Sequence, residues 1–265
     1  MQIRVPREIT EAAAKAGAAK ASLTVDSLPR LMLASCLAGA YIAFGGILSL
    51  IVGYGFPEIT ASNPSLQKLL SGCMFPIGLI LVVTLGAELF TGNNALLIPS
   101  YAKGDHGFRT VVRNWTLVYI GNFIGAVIFT YVMVYACGLT ASEPYHGAIV
   151  SIAKAKVSMP WMTVLIKGIG ANWCVCLAVW LALSGKTFLE KALGCWLPVM
   201  AFVALGYEHS IANMFFIPLG MMEGADVGIW EAIQANLIPA TIGNIIGGAL
   251  LVGAVYTYLH EIRKN

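Results

Sequence analysis

The sequence predicts an all-α polytopic membrane protein of six transmembrane helices, the second and fifth broken, in an inverted three-plus-three repeat. Three observations predict it. Of the 265 residues 58% are hydrophobic and only 11% charged, with a mean hydropathy of +0.78, which leaves too few polar groups to clothe a soluble globule. The basic residues gather in alternate loops. Two motifs recur in the same order, 120 and 122 positions apart.

Residues 1–30 hold Arg4, Arg7, Lys15 and Lys20 but no apolar run long enough for a signal-peptide core, so no cleavage is expected. Within them EITEAAAKAGAAKASL predicts a short amphipathic helix lying on the membrane surface, a cytoplasmic arm before the first span. A span needs about 20 apolar residues. Charge-free runs of that order occur at 31–52, 69–87, 114–142 and 232–259, and 157–184 is a fifth that carries only Lys167. That lysine is expected to snorkel to the interface or to pair with an acid.

Segments 69–101 and 192–222 are each just over thirty residues, about 45–50 Å as straight helices against a hydrocarbon core of about 30 Å. Each carries a glutamate near its middle, Glu88 in GAELFTGN and Glu208 in GYEHSIAN. If both cross the membrane, the N-terminal arm, the loops near 103 and 186 and the tail (Arg263, Lys264) share one side and twelve basic residues. The other side has only Lys68, Lys154 and Lys156. The positive-inside rule then predicts six crossings with both termini cytoplasmic, and the two long segments cross but break on the way.

The repeat comes from laying the halves over one another. Gly86, Glu88 and Asn93 match Gly206, Glu208 and Asn213, and Gly121, Asn122 and Gly125 match Gly243, Asn244 and Gly247. Residues 31–138 and 157–260 read as copies of one three-span unit within a pore domain 31–260, followed by a cytoplasmic tail 261–265. Because three is odd, the second copy is inverted, with a pseudo-twofold axis in the membrane plane. The broken loops ELFTGN and EHSIAN are thereby expected at the bilayer midplane, where irregular backbone is tolerated only inside protein or beside a cavity. Thr91 and His209 become near neighbours, and the half-helix N-termini offer partial positive charge to an anion.

His209 sits at membrane depth, which marks it as a pore residue. Glu88 and Glu208 are expected to hold their loops together by accepting hydrogen bonds, with Asn93 and Asn213 in the same loops. The two GNxxG motifs are expected to serve close helix packing. All six cysteines lie in apolar segments, and Cys174-x-Cys176 has neither zinc nor redox spacing, so no disulfide, metal or other cofactor is expected. A reading of another class makes Glu208 and His209 an intramembrane acid/base pair, but no nucleophile or metal cluster accompanies them. A water or glycerol channel would require paired Asn-Pro-Ala signatures, and these are absent.

FTGN at 90–93, KGIGANWCVCLAVWLA at 167–182, GYEHSIANM at 206–214 and NLIPATIGNIIGGALLVG at 236–253 together resemble the formate/nitrite transporter family. The resemblance implies an aquaporin-like fold in the plasma (inner) membrane. It also implies a homopentamer whose protomers each have their own pore for small monovalent anions or their acids, and neither enzymatic activity nor a nucleic-acid partner. By motif, His209 is the central pore histidine and Thr91 its hydroxyl partner, with Asn172 near the pore. Lys156 matches the basic residue of the outer vestibule and Lys20 its cytoplasmic counterpart, while Phe75, Leu79, Leu89 and Phe202 fall at the apolar constrictions. Formate is the favoured substrate and nitrite the next, with hydrosulfide and lactate open. Formate is expected to cross as the neutral acid, His209 giving it a hydrogen bond or a proton.

Overall fold

Twelve helices follow one another in the computed structural model, which describes residues 4–263, so that Lys264 lies outside the described residues. They are α1 (Pro6–Asp26), α2 (Leu28–Tyr54), α3 (Pro57–Ser62), α4 (Pro64–Met74), α5 (Ile77–Leu85) and α6 (Phe90–Lys103). Then come α7 (Phe108–Tyr135), α8 (Tyr145–Ser158), α9 (Trp161–Ser184), α10 (Phe188–Ala204), α11 (Ser210–Met222) and α12 (Ile229–Leu259). Proline stands in the first turn of α1, α2, α3 and α4, where its missing N–H costs no helical bond.

Five stretches are long and apolar enough to span a membrane, one of them being α4 and α5 together. The fifth crossing is instead assembled from α10 and α11. Both breaks share one device. Gly86 (φ 72°) and Gly206 (φ 68°) take the left-handed conformation, after which the chain runs extended through Leu89 and His209 before α6 and α11 begin. A Cβ at either glycine would meet nothing within 4 Å, so the backbone angle and not crowding demands glycine there.

The inverted repeat is visible in the packing. α2 lies along α7 and α9 along α12, each pair closed by glycines. A Cβ on Gly125 would overlap the Cys36 carbonyl, and one on Gly247 the Ile169 carbonyl. Gly125→Val is therefore expected to destabilise the protein by about 1–3 kcal/mol or more, because backbone cannot retreat as a side chain can. Thermal melting of the detergent-purified protein checks this, and an unchanged midpoint would refute the packing role.

Where α7 and α12 cross, Tyr119 Oη and Thr241 Oγ1 are 2.9 Å apart, themselves equivalent positions, so the pseudo-twofold axis runs between them. The arm departs from expectation. α1 is 21 residues long and packs on α6 and α7, burying Thr10, Ala13, Ala14, Gly17, Ala21 and Thr24, instead of lying free on the bilayer surface. Small residues every third or fourth position permit that approach, since a Cβ on Gly17 would overlap the Leu96 carbonyl. α8 packs on α11 in the matching place of the second repeat. The repeat unit therefore includes a helix ahead of its three spans. Thr10 Oγ1 lies 2.7 Å from His260 Nδ1, which puts both ends of the chain on one face.

Candidate functional site

Leu89 and His209 occupy equivalent positions, each the last extended residue before a half-helix. At His209 the side chain itself caps its helix: Nδ1 accepts from the Ala212 N–H at 3.0 Å. An imidazole nitrogen that accepts carries no proton, so the proton resides on Nε2. Nε2–H then donates to Thr91 Oγ1, 3.0 Å away, and the Thr91 hydroxyl hydrogen is left over for another acceptor. Both residues are buried. Phe202 stacks on the imidazole at 5.7 Å between centroids and 18° between planes, and Phe75 meets Phe202 edge-on at 5.8 Å.

What holds the two loops is duplicated almost atom for atom. Asn122 Nδ2 donates to the Ser35 and Glu88 carbonyls, both at 2.8 Å, and its Oδ1 accepts from Phe90 N at 2.9 Å. Asn244 does the same to the Gly168 and Glu208 carbonyls (2.8 and 3.0 Å) and Ser210 N (2.8 Å). Broken backbone at membrane depth must be satisfied by something, and here one asparagine per repeat reaches in from α7 or α12.

The glutamates are likewise saturated. Glu88 accepts from Lys20 (2.8 Å) and Asn93 (2.7 Å), and Asn93 also donates to Asn114 (3.0 Å). Glu208 takes Lys156 on both oxygens at 3.0 Å, Asn213 at 2.7 Å and Asn236 at 3.0 Å. Each lysine is therefore an ion pair within its wall and not a bare cation. Nothing couples Glu208 to His209 as an acid/base pair among the described residues: Glu208 accepts from Lys156, Asn213 and Asn236, while the imidazole is engaged by Ala212 N and Thr91 Oγ1.

Two cavities flank this centre. One, about 210 Å³, is lined by Lys156, Phe75, Phe202, Glu208 and His209; the other, about 230 Å³, by Lys20, Leu79, Leu89, Asn93 and Val82. Phe75 and Phe202 thus face one side, and Leu79 and Leu89 the other. The N-termini of α6 and α11 bring their partial positive charges to the centre between them.

The structure brings His209 and Thr91 together as expected, and gathers Glu88, Asn93 and Lys20 in one network and Glu208, Asn213 and Lys156 in the other. Asn172 it does not bring to either cavity. It stands behind Thr91, donating to the Thr91 carbonyl (3.1 Å), Asn94 Oδ1 (3.2 Å) and the Asn244 carbonyl (2.6 Å). Lys167 also lines neither cavity; its ammonium lies 3.6 Å from Met159 Sδ, while its carbonyl accepts from Glu208 N at 3.3 Å. Sequence reasoning missed Asn114 and Asn236, and read Asn122 and Asn244 as packing motifs only. The signal was present: the two pairs share one offset, 122.

Known proteins resemble the chain over nearly its whole length. Residues 7–258 match the family model described as formate/nitrite transporter. The chain is 42% identical to an uncharacterized transporter of Bacillus subtilis, YrhG, over 97% of this chain and 93% of that protein. It is 40% identical to a probable formate transporter of Methanothermobacter thermautotrophicus, over 94% of this chain and 96% of that one. A solved structure described as a pentameric formate channel with formate bound superposes with a TM-score of 0.79 at 32% identity, covering 88% of this chain and 98% of that chain. Six crossings, two breaks at equivalent places and a match over nearly the whole length have one explanation: this integral membrane protein belongs to the formate/nitrite transporter family.

Proposed function

We propose that the chain conducts small monovalent anions, formate foremost, through a pore that passes His209 and Thr91, and that five copies assemble with one pore each. The proposed setting is a plasma (inner) membrane with both termini cytoplasmic, a reading that the basic arm and the basic loops near 103 and 186 support. The observation that carries the reading is a buried Nε2–H and a free hydroxyl hydrogen between two facing helix N-termini, with a cavity on either side. The first donates to Thr91 Oγ1 and so keeps the second for an anion that has shed its water. The relatives named for formate support that substrate, and the family's name supports nitrite, of like charge and similar size, as the alternative.

Desolvating a bare carboxylate between phenyl and leucyl side chains costs many kcal/mol. The same desolvation disfavours the charged form and raises the substrate's own affinity for a proton. Formate therefore takes up a solvent proton in one cavity, a hydronium ion becoming water, passes Phe75, Phe202, Leu79 and Leu89 as formic acid, and returns the proton to water in the other, so that one formate and one proton cross together. His209 assists by hydrogen bonding. In its Nε2–H form it has no proton to give away without becoming an imidazolate, and as an imidazolium it would lose the Ala212 N–H that caps α11. Asn172 positions Thr91 from behind, Glu88 and Glu208 hold the loops with Asn93 and Asn213, and Lys20 and Lys156 supply donors at the cavity walls. Labelled formate uptake into proteoliposomes across a pH series tests the proposal: flux rises on acidification, and a pH-independent flux would refute proton-linked passage.

A further inference from the structure

Comparing the two cavities position by position shows what the inverted repeat conserved and what it did not. Ile152, Lys156, Phe202, Gly206 and Tyr207 line the first. Their equivalents Ala16, Lys20, Val82, Gly86 and Ala87 line the second, as do Leu89, Gly92, Asn93 and Leu96 opposite His209, Ala212, Asn213 and Phe216. The cavities are thus copies of one surface. The Lys156 cavity has an added wall, however, built from the end of α2 and the start of α4: Ser49, Tyr54, Gln67, Lys68 and Ser71.

That wall is polar and ordered. Gln67 is 8% exposed and its Nε2 donates to Ser71 Oγ at 3.0 Å. Ser71 Oγ donates to the Ser49 carbonyl at 3.2 Å, and Ser49 Oγ to the Ser71 carbonyl at 2.9 Å. The amide thus has one N–H engaged by Ser71, and it also hydrogen-bonds the Tyr54 hydroxyl, which stands in the same wall with a hydrogen of its own to donate. On the other side the counterparts are Ala182 for Ser49, Thr187 for Gln67, Phe188 for Lys68 and Lys191 for Ser71, and none of these lines the Lys20 cavity. The Thr187 hydroxyl is spent capping α10 by accepting from Glu190 N.

We propose that Gln67, braced by Ser71 with Lys156 across the cavity, forms a recognition subsite for a small carboxylate that the Lys20 cavity lacks, making the pore asymmetric in affinity. The inference rests on the anion-pore reading above. A carboxylate has two oxygens to satisfy as water leaves. In the Lys156 cavity the Gln67–Tyr54 pair and the ammonium can each take one, whereas the Lys20 cavity has no such pair and offers the ammonium against walls that are aliphatic but for Asn93. Because transport is passive, the ratio of maximal rate to KM must be equal in the two directions. The asymmetry therefore shows as a lower KM together with a proportionally lower maximal rate for flux starting from the Lys156 side.

The test uses the full chain in proteoliposomes, sorted by protease access to a C-terminal tag, with initial rates of labelled formate measured from each face. Wild type is expected to saturate at lower formate from the Lys156 face. Gln67→Met keeps the side-chain length without the donors and should raise that KM about two- to tenfold, the range for loss of one hydrogen bond, with no change from the other face. Gln67→Glu should raise it further by repelling the anion. A merely structural amide would shift thermal stability or both faces alike. Equal KM values in wild type, or variants that leave the difference intact, overturn the subsite alone. No formate or nitrite flux in wild type overturns the pore reading and the subsite with it.

Discussion

His209→Leu is expected to lower formate flux about 10- to 150-fold at every pH while leaving the rise on acidification in place. The first part follows from the donor lost: without Nε2–H on its oxygen the Thr91 hydroxyl hydrogen is no longer reserved for the substrate, a hydrogen bond to a charged or incipiently charged partner contributes about 1.5–3 kcal/mol, and each 1.36 kcal/mol of barrier is tenfold in rate. The second follows from the tautomer. Nδ1 accepts from Ala212 N, so Nε2 holds the only ring proton, and it is committed to a hydrogen bond with Thr91. The titrating partner is then the substrate. Leucine is chosen because Leu89 already fills the equivalent position of the other repeat, so the loop has a precedent for it within this chain. Part of the Nδ1 cap is lost as well, and the melting point should fall by no more than a missing N-cap, about 0.5–2 kcal/mol. Flux measured between acid and neutral pH decides the matter: a variant whose flux no longer responds to acid would make His209 the proton carrier and overturn the assignment of a hydrogen-bond donor.

Glu208→Leu is expected to destabilise the fold by about 3–5 kcal/mol, the cost of leaving one member of a buried ion pair alone. Lys156, with its side chain 15% exposed, loses its only carboxylate partner, and Asn213 and Asn236 each lose an acceptor. The loop that presents His209 starts at this residue, so folding and pore geometry fail together. A double variant, Lys156→Met with Glu208→Leu, should recover part of the loss, because two apolar groups leave no orphaned charge. Inverted symmetry extends the expectation to Glu88 and Lys20, which pair at 2.8 Å. Melting of the detergent-purified variants measures all four, and a Glu208→Leu protein with wild-type stability would show that the pair is dispensable to the fold.

The six crossings, the two breaks and the inversion were legible because they rest on local chemistry. Apolar runs set the spans, alternate basic loops make each long segment a crossing, and Gly86 and Gly206 mark the only kind of residue that enters the left-handed turn at no steric cost. His209 stood out for the same reason: an ionisable group in an apolar run announces itself one residue at a time. Much of the rest depended on distance in the chain. Asn114 and Asn236 look like ordinary polar residues in a span, and nothing near them says that they accept from the loop asparagines 21 and 23 positions earlier. The arm misled because a helix of small and charged residues has the same pattern whether it meets lipid headgroups or the backbone of α6.

The sequence by itself determined that the chain is a membrane protein of two inverted halves, broken at Glu88 and Glu208, with a histidine at its centre. Hydrophobicity and periodicity are properties of neighbouring residues, and the match between halves is a property of the string. Only the tertiary structure decided which nitrogen of His209 carries the proton, that each lysine is already paired, that Asn172 stands behind Thr91, and that one cavity has a polar wall while its copy does not. Several of those are relations between atoms more than 50 positions apart, such as Lys156 and Glu208 or Thr91 and His209. Hydrogen-bond direction and cavity shape exist only once the helices have packed and brought such atoms within about 3 Å.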